Sequence, residues 1–221
     1  MVPHGPRTRE RSGDSDRPTS RCASGRAATL RCMTQPERKR VETSRTALTY
    51  AYNYHVAREA LDHAEAAEEG QVYNVMAAMT FCAFTLESYL NHVGMMRVPN
   101  WENIELVINP KEKCKVVADA LRATIENSRR PFQTFHKIFV FRNQIVHGKT
   151  FIKEEIKELF MLPGDRPELP GAYWETLCKF ADAQRFVTDT EQMIIELHRH
   201  VDPDEHPLGT LATGGWSASE P

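Results

Sequence analysis

A stretch of sixteen residues without a charged side chain, Gln71–Leu86, constrains the fold more than any other part of the sequence. Its apolar residues would lie on nearly every side of a helix, and such a helix is usually buried at the centre of a protein. The stretch contains Thr80 and Thr85, ends at Glu87, and is shorter than the roughly 20 residues that span a bilayer. We therefore expect a central helix over Val72–Arg97 and no membrane helix.

Four other segments have the composition or the spacing of helices. Proline suits the first turn of a helix, as at Pro110 and Pro131, and glycine suits its end, as at Gly70 and Gly148. The predicted helices run over residues 41–69, 110–125, 131–147 and 172–200, with shorter ones over 102–107 and 152–160. No segment shows the alternation of a half-buried strand. The sequence therefore predicts an all-α fold, an antiparallel helical bundle with four to five main helices.

The two ends of the chain differ in composition from the part between them. Residues 1–40 are rich in Arg, Ser, Gly, Thr and Pro, and they have too few large apolar side chains to offset the entropy lost on ordering. We expect a disordered basic arm there, and Met33 is an alternative start of the chain. Residues 41–201 form the predicted helical domain, and the Pro-, Gly- and Ser-rich residues 202–221 form a flexible tail.

The cysteines and histidines give little sign of a metal centre. The five cysteines are odd in number and include no C-x-x-C pair, which indicates a reduced protein. The first 30 residues lack the apolar segment of a secretory signal, so we expect a cytoplasmic protein. His55, Glu59 and His63 form one helical stripe, but two turns separate the histidines, which is a weak zinc signal. We predict no metal and no cofactor.

The charge of the chain is unevenly spread. Residues 1–40 hold 10 Arg and Lys against 4 Asp and Glu, whereas residues 41–221 hold 18 against 26. The body of the protein is therefore acidic, and an acidic body is a poor non-specific binder of nucleic acid. Any contact with RNA requires either the basic arm or a local patch.

Residues 129–149 are the one long stretch of the body with many cations and no Asp or Glu. An anion is attracted to such a stretch, so we take Arg129, Arg130, Lys137 and Lys149 as candidate nucleic-acid-binding residues. Cations of this kind also cover the solvated face of many ordinary helices, and charge alone favours that alternative.

Arg142, Asn143 and His147 form the most specific arrangement within that stretch. Asn143 and His147 are four residues apart and lie on one face of a helix. Arg142 and His147 are five apart, about 140° around an ideal helix, so the arginine has to reach toward the histidine. His147 lies at the negative end of the helix dipole, which suits a cation, and Gly148 is typical of a left-handed helix cap that leaves space for a ligand.

Glu87 is the first carboxylate after the long apolar stretch. A buried carboxylate needs a partner, because an unpaired charge away from water is strongly destabilising. Arg142 and His147 are the candidate partners. The alternative is that Glu87, Ser88 and Asn91 face solvent near the end of the helix.

The segment Phe141–Lys149, with the sequence FRNQIVHGK, resembles the signature of the HEPN family (higher eukaryotes and prokaryotes nucleotide-binding domain), in which a His follows an Arg by four to six residues. The helix that starts at Pro131-Phe132 is also similar to the family's. So are Thr85–Asn91 on the earlier apolar helix and Pro110–Lys113 at the start of the helix between them. The resemblance covers roughly residues 45–200.

The resemblance implies a helical bundle that dimerises about a two-fold axis and brings two motif helices into one cleft. It also implies a metal-independent endoribonuclease of defence or toxin–antitoxin systems, which leaves a 2′,3′-cyclic phosphate. His147 would then be the general acid and base, and Arg142 would hold the scissile phosphate. Asn143 would orient His147 or the phosphate, and Glu87 would be the acidic partner of the motif.

The same resemblance leaves other functions open, because some family members bind or assemble without catalysis. The main alternative is a non-catalytic dimeric module for a nucleotide, an RNA or a protein, in which the motif residues join the two chains. A further alternative is an antitoxin-like or regulatory partner of a neighbouring nucleotidyltransferase. The partners that the resemblance allows are thus an antitoxin or a nucleotidyltransferase.

Overall fold

The computed structural model describes residues 38–67, 69–150, 152–167 and 169–219. The chain divides into two units, residues 1–40 with 220–221 and residues 41–219, and the second unit is compact. The first unit lies almost wholly outside the described residues, and so do the predicted disordered arm and Met33. The helices of the described part all belong to the second unit.

The described part of the second unit is mostly helical and carries one small sheet. In chain order the elements of the described residues are β1 (Arg40–Ala47), α1 (Thr49–Ala66), α2 (Gln71–Arg97), α3 (Trp101–Ile104), α4 (Pro110–Leu121), α5 (Phe132–Val146), α6 (Tyr173–Leu177), α7 (Phe180–His198) and β2 (Ala212–Ser219). The predicted helical fold is confirmed in this outline. Among the described residues, no helix has both the length and the apolar character needed to cross a membrane.

The apolar helix α2 lies at the centre, as its composition predicts. It contacts α1, α3, α4, α5 and α7, and its buried side chains include Met79, Cys82, Leu86 and Tyr89. The start of α1 packs on the end of α2 and the end of α1 on the start of α2, so the two form an antiparallel hairpin. These helices therefore all pack against the same buried helix, α2.

The start of α4 is fixed by a complete cap. The Asn109 side chain accepts hydrogen bonds from the N–H groups of Lys111 and Glu112, and the Glu112 carboxylate accepts one from the Asn109 N–H. Pro110 occupies the first turn, where a missing N–H costs nothing. The helix ends at Leu121, four residues before the predicted end, because Arg122 takes the left-handed conformation with φ 55°. This cap sets the position of Lys113, one turn into the helix.

Helix α5 buries an aromatic face and ends where the motif ends. Its buried residues include Phe135, Ile138 and Phe139, and His147 forms its last hydrogen bond, from its own N–H to the Asn143 carbonyl at 2.9 Å. The predicted left-handed cap at Gly148 is wrong, since the described glycines with positive φ are Gly70 and Gly164. A Cβ at Gly148 would lie 2.6 Å from the Gln144 carbonyl oxygen, so lack of space rather than handedness favours glycine there.

A two-stranded sheet, β1 with β2, corrects the predictions of an all-α fold and of a helix from Val41, and its second strand lies within the predicted C-terminal tail. The Leu48 N–H donates to the Leu211 carbonyl at 2.9 Å, and a Cβ at Gly214 would meet Ser44 and Arg45, so the strands run antiparallel. The side chains on both faces of this sheet are nearly all exposed. Because neither face is buried, the strands lack the alternation that signals a strand in sequence.

Two further helix predictions are wrong. Residues 152–160 have no regular structure in the described part, although their apolar residues have helical spacing. A short helix is marginal in water unless a surface covers its apolar face, and these side chains are exposed. The predicted last helix divides into α6 and α7 at Cys178 and Lys179, where Lys179 is extended with φ −105° and ψ 141°. No glycine or proline marks that break in the sequence.

Candidate functional site

Glu87 on α2 is the centre of a charged cluster that joins three helices. Its Oε2 accepts a hydrogen bond from Nη2 of Arg142 on α5 at 2.6 Å. Its Oε1 faces Nζ of Lys113 on α4 at 3.5 Å. The pairing of Glu87 with Arg142, one of the two alternatives that the buried-carboxylate argument allows, is therefore present.

Lys113 is the member of this cluster that the sequence argument does not find. It lies within the segment Pro110–Lys113 that resembles the HEPN family, but nothing in its spacing connects it with Glu87. Only 5% of Lys113 is exposed, and Nζ also donates to Oδ1 of Asn91 at 3.0 Å. Lysine is almost never buried without partners, so the amide and the carboxylate explain its position.

The cluster has one more positive than negative charge, because Arg142 and Lys113 share the single carboxylate of Glu87. The Arg142 side chain is 17% exposed, and its guanidinium carbon lies 5.7 Å from the centre of the Phe139 ring. Its Nε is buried and has no hydrogen-bond partner in the structure. An arginine has five donors, so this side chain has capacity for an additional acceptor.

Asn143 and His147 lie together on the outer face of α5, as their spacing predicts. Oδ1 of Asn143 accepts a hydrogen bond from Nη1 of Arg142 at 3.0 Å, so the amide extends the charged cluster toward the surface. His147 is exposed, and its ring makes no hydrogen bond or ion pair within the described part of the chain. Arg142 is directed to Glu87 and Asn143, and no contact joins it to the His147 ring in that same part.

The four cations predicted to bind nucleic acid do not form one free basic patch. Arg129 pairs with Glu126, one turn away. Arg130 pairs with the fully buried carboxylate of Asp189, whose hydrogen bonds raise the pKa of the guanidinium. Lys137 and Lys149 are exposed and make no ion pair among the described residues. The absence of acids from residues 129–149 is therefore offset by acids from other parts of the chain.

Cys114 lies next to Lys113 in sequence and is the cysteine nearest to the cluster along the chain. Burial raises the pKa of the Cys114 thiol to about 12. The thiolate is the reactive form, so a thiol with this pKa is unreactive at neutral pH. Cys114 is therefore not a candidate nucleophile, and Arg142, Asn143 and His147 remain the candidate groups for an anion or for proton transfer.

Within the described residues, no three or more His, Cys, Asp or Glu side chains come together in a way that could hold a metal ion. No family model, no curated protein and no solved structure matches the chain. The HEPN resemblance therefore stays a prediction that rests on the motif residues themselves.

Proposed function

We propose that this protein is a HEPN-type, metal-independent endoribonuclease that acts as a homodimer on RNA. The observation that carries the proposal is the excess positive charge at Arg142, Lys113 and Glu87, directly beside the exposed Asn143, with the exposed His147 one turn further along at the end of α5. A cation with a donor to spare can hold a phosphate, and an accessible imidazole is the most common group for proton transfer. In this chain α5 and its C-cap carry both groups.

In this proposal Glu87 is a positioning residue. Its hydrogen bond to Nη2 fixes the plane of the Arg142 guanidinium, and Asn143 holds Nη1 from the other side. A planar fork that is held in this way is prepared for a phosphate before the substrate arrives, so less freedom is lost on binding. Lys113 keeps the sum of charges positive although Glu87 occupies one donor of the arginine.

The reaction needs two proton transfers. The ribose 2′-oxygen attacks phosphorus and loses its proton, a P–O2′ bond forms, the P–O5′ bond breaks, and the departing 5′-oxygen gains a proton. The product is a 2′,3′-cyclic phosphate and a 5′-hydroxyl. One exposed imidazole supplies one of these transfers at a time, so a site shared by two chains, each with its His147, supplies the base and the acid together.

The test is RNA cleavage in EDTA by the purified full chain and by single variants. We expect His147→Ala to lower the rate by about 10²–10⁴-fold, the usual contribution of a general acid or base. Arg142→Ala should lower it comparably, and Arg142→Lys should restore little, because an ammonium lacks the planar fork. His63→Ala and Arg185→Ala, exposed positions outside the cluster, are the matched controls.

Three outcomes would contradict the proposal. The first is that the wild-type chain leaves a panel of single-stranded and structured RNAs intact. The second is that His147→Ala cleaves as fast as the wild-type chain. A product with a 3′-hydroxyl instead of a cyclic phosphate would also contradict the mechanism.

A non-catalytic dimeric module is the second candidate function. It is favoured by the segment 152–162, which follows the motif and exposes a series of large apolar side chains: Ile152, Ile156, Leu159, Phe160, Met161 and Leu162. An exposed apolar patch of this kind is typical of an interface between proteins. In this alternative a second copy of the chain covers the segment, and the motif residues join the two copies.

Measuring the mass in solution of the wild-type chain and of Ile156→Ser/Phe160→Ser, together with the cleavage assay, separates the two candidates. If the wild-type chain is a dimer, the double variant is a monomer and neither cleaves RNA, the module is favoured. A dimer that cleaves RNA and depends on His147 would favour the ribonuclease.

A further inference from the structure

A groove runs between the start of α4, the connection that follows this helix, and the outer face of α5. We call it the α4–α5 groove. It consists of two adjoining cavities of about 600 and about 380 Å³, which share Asn109, Lys111, Asn127 and Phe135 as lining residues. Cavities of this size accommodate small ligands. The smaller cavity extends to Asn143, the residue that holds the Arg142 guanidinium, so the groove borders the charged cluster at that amide.

The floor of the α4–α5 groove is aromatic. Phe135 and Phe139 line it, their ring centres are 4.7 Å apart, and the rings are tilted by 44°. Each is 7% exposed, so the groove reaches the edge of the core while the rings remain packed. A flat unsaturated ring is the ligand group that gains most from such a floor, because the edge of an aromatic ring packs favourably against the face of another ring.

The rim of the groove is polar but not strongly charged. Asn127 and Gln133 are exposed on it, and their side-chain amides make no hydrogen bond within the described residues. An amide both donates and accepts, as the edge of a nucleobase does. In the larger cavity two lysines, Lys111 and Lys115, are balanced by two acids, Glu112 and Asp119. This balance favours a neutral ring over a second phosphate.

We propose that the α4–α5 groove binds one unpaired base of the RNA strand whose phosphate lies at Arg142 and Asn143. The inference rests on the proposed function, because it takes RNA as the substrate, and it adds a subsite to that function. The aromatic floor takes the face of the base, and the amides of Asn127 and Gln133 take its edge. RNA is read in this manner by proteins that bind it single-stranded, through stacking and through the polar edges of splayed bases.

The test uses the full chain and the four ribonucleoside 3′-monophosphates as probes, with inorganic phosphate as the reference ligand. Binding is followed by calorimetry and by the ¹⁵N side-chain amide signals of Asn127 and Gln133. We expect at least one nucleotide to bind about tenfold tighter than inorganic phosphate and to shift both amide signals. Asn127→Ala/Gln133→Ala should remove about that tenfold gain and leave phosphate binding unchanged.

The matched control is Asn103→Ala/Gln192→Ala, which removes two exposed amides outside the groove. All four of these positions are exposed, so both double variants are expected to fold. The inference is overturned if no nucleotide binds tighter than phosphate, or if the groove variant and the control bind nucleotides equally well. It is also overturned if the two amide signals shift with protein concentration and not with nucleotide, since a second copy of the chain then fills the groove.

Failure of the inference differs from failure of the proposed function. If the wild-type chain cleaves RNA, and Asn127→Ala/Gln133→Ala leaves both the rate and the base preference at the cut unchanged, the function stands and the base subsite does not. If nucleotides bind with the expected signature while no RNA is cut, the groove stands and catalysis does not.

Discussion

The two ends of α5 each have an arginine paired with a carboxylate from another helix, and the two pairs differ in how much of the carboxylate is used. Near the start, Nε of Arg130 donates to both oxygens of Asp189, at 2.9 and 3.0 Å, and Nη2 donates to Oδ1 at 2.6 Å. The Thr134 hydroxyl donates to the same fully buried carboxylate. At the end, Arg142 gives Glu87 one hydrogen bond, and the Glu87 side chain is 29% exposed.

This difference separates a structural pair from a candidate site. A buried carboxylate whose oxygens are all engaged has nothing left for a ligand, and it fixes α5 against α7. Glu87 is shared by Arg142 and Lys113, so the cluster keeps an excess positive charge and remains open to water on one side. Arg130 and Arg142 come from the same acid-free stretch but have different roles. The number of cations that share one carboxylate, one at Asp189 and two at Glu87, distinguishes them.

The largest expected effect is at the structural end. Asp189→Asn leaves Arg130 with a neutral partner and places an amide hydrogen against Thr134. We expect the free energy of unfolding to fall by about 3 kcal/mol, because several hydrogen bonds to a buried charged group weaken at once, while the Arg130 side chain, 53% exposed, stays solvated. Urea denaturation at pH 7.5 measures it. Glu126→Gln, which breaks the exposed pair with Arg129, should cost less than about 1 kcal/mol. Equal losses would mean that burial does not distinguish these pairs.

A smaller loss of stability is expected at the other end. Glu87→Gln keeps the shape of the side chain but removes the charge that Arg142 and the buried Lys113 share. We expect a loss of about 2 kcal/mol, in the range for hydrogen bonds to charged groups, and a clear loss of RNA cleavage. The same denaturation series and the same cleavage assay measure both. A loss as large as that of Asp189→Asn, with normal cleavage, would make this end structural as well.

Gly148→Ala tests the end of α5 itself. The new Cβ would meet the Gln144 carbonyl oxygen at 2.6 Å, so the last turn has to shift. We expect a loss of about 1 kcal/mol, since overpacking near an exposed helix end is partly relieved by movement. The rate of RNA cleavage should fall by a larger factor than the equilibrium constant for folding, because His147 moves with that turn. Gly164→Ala is a poor control, because φ is +101° there, whereas Gly215→Ala introduces a Cβ into open space.

The smallest expected effect is a change in how the free energy of unfolding depends on pH. It determines the pH at which the two ends of α5 should be compared. Burial, together with His198, lowers the pKa of His92 from its ordinary value of 6.5. The unfolded chain therefore takes up this proton at a higher pH than the folded one. The stability that neutral His92 contributes is fully present above pH 6.5 and is lost as the pH falls through the lowered value.

Denaturation between about pH 7.5 and about pH 5 should therefore show a falling free energy of unfolding, with a shallower slope in His92→Gln. His63→Gln, at an exposed position, is the control and should keep the wild-type slope. An unchanged slope in His92→Gln would contradict this assignment. Measurements at pH 7.5 keep this contribution out of the comparison between the two ends of α5.

Local sequence signals predicted the helices well where a strong signal was present. Pro110 and Pro131 mark the starts of α4 and α5, since proline acts within one turn of the chain. The apolar composition of α2 predicted both its extent and its central place. The first carboxylate after that run, Glu87, was predicted to need a cation, and Arg142 supplies it.

Local signals failed where the deciding partner is distant in sequence. The pairing of β1 with β2 joins segments about 170 residues apart and buries no face, so neither segment had a pattern of its own. Residues 152–160 have helical spacing, but nothing in the described part of the chain covers their apolar side chains. The break at Cys178 likewise has no local residue that would mark it.

The sequence by itself determined which residues form the central helix, where the helix with the motif begins, and that Asn143 and His147 share one face of it. These properties depend on spacing along one helix and on the need to bury apolar surface. Only the tertiary structure decided that Lys113 shares the carboxylate of Glu87 and that Arg130 forms an ion pair with Asp189. Charges attract across any sequence separation, so packing alone selects which acid meets which base.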